Sequence, residues 1–306
     1  MYIEGFEDTL VIDQSVGDKY MFDYFKQRIK EELFTHPVIT NNAYCNWFAD
    51  ATLTKSDVVF FTKQFSVFSN QFTVAQLHKV INAGTLDEMH DAKEILLNKL
   101  GVLFKKDDPT YHVHGEAGNT TLEVVDPQYV GIEGSIENST FRFKAAHFEW
   151  LLAFAKLLGL EFEDIGKRKH GTPYTLHFCD ELIRLYSNEN HIIGAGASFA
   201  VENWAAAGFW KQLIQGLENF NERQEERLPL AFFTWHDKIE DQHASHTWNE
   251  LKELYFGEEK FDEDAFINAG TEMLDGVQAF WTGLQLDRIA RHAIAMEAFT
   301  QFASPR

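Results

Sequence analysis

The chain has 306 residues, 45% of them hydrophobic, and 27 lysines and arginines stand against 47 aspartates and glutamates for a net charge of −20. That length can bury a large core, and that charge excludes nucleic acid or an anionic membrane surface as a general partner, since both are polyanions. Two cysteines, Cys45 and Cys179, cannot build a disulfide framework, so a reducing cytoplasm is the expected compartment.

The first residues lack the basic and apolar regions of a secretory signal. No apolar run reaches membrane-spanning length; the best, Trp150 to Leu160, is interrupted by Lys156. With 28 phenylalanines and only six prolines, the composition suits long helices.

Residues 1–19 read as an extended lead-in. Met21, Phe22, Phe25, Ile29 and Leu33 then recur at helical spacing until His36-Pro37 stops the run. Val38 to Leu53 is irregular, with Asn41-Asn42 as a turn signal. Ser56 to about Ala83 is helical, with a break expected near Asn70. Thr85-Leu-Asp-Glu88 is a capping box opening a helix that runs to Gly101. Residues 102–138 carry turn signals around short alternating runs and read as a β-containing insertion, a hairpin, on a helical body. The insertion holds His112, His114 and Glu116, whose i, i+2 imidazoles share one side of a strand and otherwise suit a solvated loop.

Ser139 to Leu158 reads as an amphipathic helix ended by Gly159, and a charged linker, Glu161 to Thr172, leads to Pro173 at the next helix start. Leu176, Cys179, Leu182, Ile183 and Tyr186 form the apolar stripe of that helix. His191 to about Phe220 is the most apolar helix, and its small residues permit close packing. Glu202 stands in its middle, where a carboxylate is costly unless paired, coordinated or protonated. A helix follows over Asp262 to Trp281, then a short C-terminal one. No repeat or domain boundary interrupts the pattern, which predicts a single all-α domain over 1–306.

The stretch Thr234-Trp-His-Asp-Lys-Ile-Glu-Asp-Gln-His243 places His236, Glu240 and His243 at i, i+4 and i+7, on one face of a helix that Gly257 ends. Two imidazoles and a carboxylate on one stripe suit a redox-active metal; the plainer alternative is a polar helix face. His246 and His90 read as exposed helix residues. Trp204, Phe209, Trp210 and Trp281 read as core, and so does Cys179.

With these residues in place, the chain resembles the haem-oxygenase-like diiron oxidase and oxygenase superfamily, whose relatives include the Chlamydia protein associating with death domains. The same fold serves TenA-type thiaminases and the pyrroloquinoline-quinone synthase. Three features carry the resemblance: His147 followed by Trp150-Leu-Leu and Leu157-Leu-Gly159, Glu202 in a small-residue helix, and His236-x-x-x-Glu240-x-x-His243. Glu240 stands where the family usually has aspartate. The family also has a glutamate about ten residues before the first histidine, which Glu137 matches, with Glu133 as the nearby competitor.

The resemblance implies a haem-oxygenase-like bundle of about seven core helices, and a metal site of Glu137, His147, Glu202, His236, Glu240 and His243. It implies two Fe(II) per chain, dioxygen as co-substrate, and oxidation of a small organic substrate derived from an amino acid or a fatty acid. It leaves room for a homodimer and implies neither a nucleic-acid nor a membrane partner. A metal-free enzyme of the TenA or quinone-synthase kind and a non-catalytic interaction protein are the alternatives on the same fold. A ferritin-like diiron protein would want Glu-x-x-His on two helices, and only Glu240-x-x-His243 supplies it.

Overall fold

The computed structural model describes residues 14–100, 132–136, 139–143 and 147–303. The expected lead-in before Gln14, most of the expected insertion with His112, His114 and Glu116, and Glu137 lie outside the described residues.

Eleven α-helices, two short 3-10 turns (Phe162–Asp164 and Arg168–His170) and one hairpin make up the regular structure of the described residues. The first helix, α1 (Gln14–Glu32), starts within the expected lead-in and buries Phe22, Phe25 and Ile29. The stretch read as irregular holds α2 (Pro37–Thr40) and α3 (Ala43–Asp50). The turn signal at Asn42 is an N-cap, its side chain accepting from the Cys45 amide at 3.1 Å. The next helix, α4 (Lys55–Ile81), passes through Asn70 without the expected break. Asn70 donates its side-chain amide to the Gly166 carbonyl at 2.9 Å, so its hydrogen bonding goes to a distant loop and does not compete with its own helix. In α5 (Leu86–Leu100) the Glu88 amide donates to Thr85 Oγ1 at 3.1 Å, and the Glu88 carboxylate accepts from Gly84.

Strands β1 (Ile132–Ile136) and β2 (Ser139–Phe143) pair antiparallel, Ile132 opposite Phe143 and Ile136 opposite Ser139. This is the expected hairpin, but it extends into the segment read as helix. Helix α6 (His147–Leu157) therefore begins at His147 and not at Ser139. The reason is legible in Thr140-Phe-Arg-Phe143, where polar and aromatic residues alternate with period two.

Helix α7 (Pro173–Tyr186) follows, capped by Thr172, whose Oγ1 accepts from the Thr175 amide at 3.4 Å. The expected long helix after it is two: α8 (His191–Ala205) and α9 (Phe209–Asn221). Gly208 between them has φ +98, a left-handed turn that glycine adopts without a Cβ penalty. Helix α10 (Ala231–Gly257) carries the histidine stripe, and α11 (Glu263–Ala303) is one 41-residue helix where two were expected.

One hydrophobic core links all these layers, rich in phenylalanine and tryptophan from α3, α4, α8, α9 and α11. Helix α8 runs between α7, α10 and α11. A Cβ built on Gly196 would run into the carbonyl oxygen of Phe266 on α11, so the two backbones meet where only glycine fits. Gly194, two residues earlier, has open space around such a Cβ. Gly196→Ala is therefore expected to cost about 1–3 kcal/mol by overpacking, whereas Gly194→Ala gains about 0.5–1 kcal/mol of helix propensity. Urea denaturation of the two variants checks the sign of each.

Buried Asp57 closes the first turn of α4 in a reciprocal box with Thr54 and meets His292 Nε2 of α11 at 2.9 Å. Burial alone would raise the Asp57 carboxyl, but the hydrogen bonds from Thr54 and His292 outweigh it and hold it below its ordinary value. A carboxyl lowered in the folded state stabilises above its unfolded value, about pH 4. That contribution is lost as pH falls through the folded value. Acid unfolding of Asp57→Asn is expected to show a flatter dependence on pH in that window than the parent.

Candidate metal centre

His147 is the first residue of α6 and is buried. His236 lies in the second turn of α10, also buried, where it faces α6. Their ring centroids are 4.7 Å apart with an interplanar angle of 83°. Two imidazoles far apart in sequence thus share one interior point.

Aromatic rings enclose the pair. Trp210 of α9 stacks on His236 at 4.5 Å and 20°, and Phe232, one turn before His236, lies at 4.5 Å. Trp235 touches both histidines, at 4.7 Å from His147 and 5.1 Å from His236, while Trp150 stacks near His147 at 6.3 Å and 15°. These rings exclude water and lower the local dielectric, which strengthens any charge interaction inside.

The tautomer of His236 follows from its partner. Nδ1 lies 2.6 Å from the Phe232 carbonyl oxygen. A carbonyl only accepts, so Nδ1 carries a proton, and in the neutral ring Nε2 is the nitrogen with the lone pair. A backbone carbonyl holding the far nitrogen of a histidine is the usual support of a metal-ligating imidazole.

Glu202 is buried in α8. Its neighbour Asn203 donates to Thr247 Oγ1 at 3.1 Å, and Phe199 packs edge-on against Trp248 at 4.8 Å. These contacts set α8 beside α10 with Glu202 level with the turn that follows His243. On α10, positions 236, 240 and 243 share the stripe that continues to buried Thr247. The side chains of Glu240, His243 and His246 lie outside the described residues. So does Glu137, and β2 stands between it and His147, so the ten-residue interval is not helical. Glu133 lies on β1 opposite Arg142. Among the described residues, no group of three His, Cys, Asp or Glu side chains stands close enough to hold a metal ion. The structure thus brings His147 and His236 together and sets Glu202 in the neighbouring helix.

A small pocket lined by Ser69, Asn70, Thr73, His147, Phe148 and Glu149 reaches His147 from the α4 side. His90 is exposed, as its helix position suggested. Cys179 is buried, and burial pushes its thiol up to about 12, which suits core packing and not a nucleophile. Trp204, Phe209, Trp210 and Trp281 are all core, but Trp210 also forms a wall of the site. That second role of Trp210 was not readable in the sequence. The wall role of Trp150 and Phe232 was missed as well, although their spacing, i+3 from His147 and i−4 from His236, is a signal that could have found it.

Solved structures define the fold. A domain of unknown function with a heme oxygenase-like fold from Shewanella denitrificans aligns over 92% of this chain and 96% of its own, with a TM-score of 0.53 at 14% identity. A TenA homologue from Pseudomonas syringae aligns over 86% and 93%, at 0.57 and 11%. A CADD-like protein of unknown function from Nostoc punctiforme aligns over 90% and 97%, at 0.55 and 13%. No family model and no curated protein matches the sequence. The chain has the haem-oxygenase-like helical fold. Among the described residues no helix is long and apolar enough to cross a membrane.

Replacing a buried carboxylate by an apolar residue of similar volume is often neutral, whereas truncating fully buried Leu213 on α9 leaves a cavity. In metal-free protein, Glu202→Leu is expected to cost less than Leu213→Ala, for which about 2–5 kcal/mol is expected. Equal losses in urea denaturation would make Glu202 a structural residue.

Proposed function

We propose that this chain is a non-haem diiron oxidase or oxygenase that uses dioxygen to oxidise a small organic substrate derived from an amino acid or a fatty acid. The observation that carries the proposal is the meeting of the His147 and His236 rings at 4.7 Å, with Nδ1 of His236 held by the Phe232 carbonyl. A neutral imidazole oriented in this way inside an aromatic wall is suited to ligating iron. Glu202 from α8 supports the same centre, with Glu240 and His243 on the His236 helix and Glu137 before α6 completing the proposed ligand set. Two ferrous ions so held supply the electrons and open positions for dioxygen reduction.

The rest of the work falls to the protein. Trp150, Trp210, Phe232 and Trp235 keep water from the imidazoles. The Phe232 carbonyl fixes the face that His236 presents. The pocket beside His147 offers a small molecule an approach through the polar side chains of Ser69, Asn70 and Thr73. A thiol-based, metal-free reaction finds less support, because Cys179 is held protonated by burial.

Anaerobic titration with Fe(II) is expected to saturate at about two ions per chain. Brief exposure to dioxygen should then give a transient visible absorption. His236→Ala and His147→Ala should each bind fewer than half the parent's ions while keeping the parent's helical circular dichroism. Parent protein that is well folded yet binds less than half an equivalent contradicts the proposal.

A further inference from the structure

Helices α3 and α9 pack together, and an open pocket of about 240 Å³ lies where both begin. Asn42, the N-cap of α3, and Gly208, the N-cap of α9, line it together with Thr40, Asn46 and Gln212. Trp204 and Phe209, stacked at 4.4 Å and 9°, supply its apolar side. The space far exceeds the roughly 10–15 Å³ that admits a single water. It shares no lining residue with the pocket beside His147.

The groups left unmet here are donors. The start of α9 has no side-chain cap, and among the described residues the amides of Phe209, Trp210 and Lys211 have no partner. Such amides carry the positive end of the helix dipole. The end of α8, which leads into the same corner, is closed: its Glu202 and Trp204 carbonyls accept from the Ala206 and Ala207 amides at 3.1 and 3.0 Å. A Cβ on Gly208 would meet nothing within 4 Å, so the space before α9 is open. Asn42 is a second and separate sign. It is only 8% exposed, and its Oδ1 is turned to the Cys45 amide at 3.1 Å, so Nδ2 is the arm left for the pocket, and it has no partner. Nε1 of buried Trp204, a donor only, is unpartnered as well. Acceptors are already spent: Asn41 Oδ1 takes a bond from Asn46 at 3.0 Å, and Asn46 Oδ1 one from Gln212 at 2.6 Å. No charged side chain lines the pocket.

We propose that this pocket binds a small oxyanion, a carboxylate or a phosphate, held by the first-turn amides of α9 and by Nδ2 of Asn42. Unmet donors select a ligand that accepts, and the helix dipole selects one that is negative. A cation would meet the positive end of α9, and a neutral amide would satisfy donors without the gain from the dipole. The net charge of −20 does not forbid an anion. No carboxylate lines the pocket, and exposed charges more than about 10 Å away are screened at 0.1 M salt. Phe209 lines the pocket while its neighbour Trp210 stacks on His236, so α9 serves the two places with different residues. The inference therefore stands apart from the diiron reading.

The test is an NMR titration of the full chain, without added iron, with sodium phosphate, sodium acetate and acetamide at constant ionic strength. It follows the backbone amides of residues 209–212 and the side-chain amide of Asn42. Phosphate or acetate is expected to bind saturably at these amides, at least about fivefold more tightly than acetamide. The tighter of the two ions tells whether the head group is a phosphate or a carboxylate. Asn42→Asp keeps the cap of α3 but turns the free donor into an acceptor, and Ala207→Asp sets a carboxylate on the exposed residue before Gly208. Each is expected to weaken ion binding at least about tenfold while keeping the parent's helical circular dichroism. Lys30→Gln makes the same change of net charge on exposed α1 and should leave binding within about twofold. Acetamide bound as tightly as the ions overturns the proposal. So does ion binding that both aspartate variants leave unchanged, or the absence of saturable shifts at these amides up to about 100 mM, which would mean that water alone satisfies them.

Discussion

The contact of α8 with α11 at Gly196 decides where Glu202 stands in the core. With no side chain at that position, the α8 backbone settles against the Phe266 carbonyl, and Gly270 on α11 lies against Ala200 and Leu33 in the same seam. Helix α8 is thereby held in the interior, its Ser198 and Glu202 buried among other helices and its half-buried Asn203 bonded to α10. A larger residue at Gly196 would push α8 outward and carry Glu202 with it. Close packing of interiors makes such a shift a change of the whole layer and not of one side chain.

An interior helix that carries acid and hydroxyl groups must be answered by its neighbours, and this one is. Asn203 is answered by Thr247 of α10, and Ser198 by Lys79 of α4, which in turn holds Glu250 of α10. The two histidines are answered by a carbonyl and four aromatic rings. Two of the polar groupings among the described residues thus lie along α10: the imidazoles near its start, and Ser198, Lys79 and Glu250 nearer its end. Glu202 lies between them along α8. A surface pocket opens toward each: one beside His147, the other lined by Lys79, Tyr186 and Glu250.

Much of the helical framework was legible. The stop at Gly257, the Thr85–Glu88 box and the buried stripe of Cys179, Leu182 and Tyr186 follow from local chemistry that the tertiary structure leaves intact. The helix boundaries that were misread share a cause. Gly208 lies in an Ala-rich apolar run where nothing nearby announces a left-handed turn, and Asn70 spends its turn-forming side chain on Gly166. The period-two alternation of Phe141 and Phe143, which suits the strand paired with β1, was overridden by the strong helical stripe that follows it. For the site, helical spacing and the family resemblance gave the histidines, while their meeting and Trp210 as a wall are products of packing between distant segments. No local pattern contains them.

The most direct test of the central claim is X-ray absorption at the iron edge of the anaerobically loaded protein. The account predicts a first shell of nitrogen and oxygen, the outer-shell scattering characteristic of imidazole, and an iron–iron vector of about 3.5–4 Å. It also predicts that His236→Ala removes part of the imidazole signal. An all-oxygen shell with neither imidazole scattering nor a second iron would contradict it, because His147 and His236 would then meet inside the protein for packing alone.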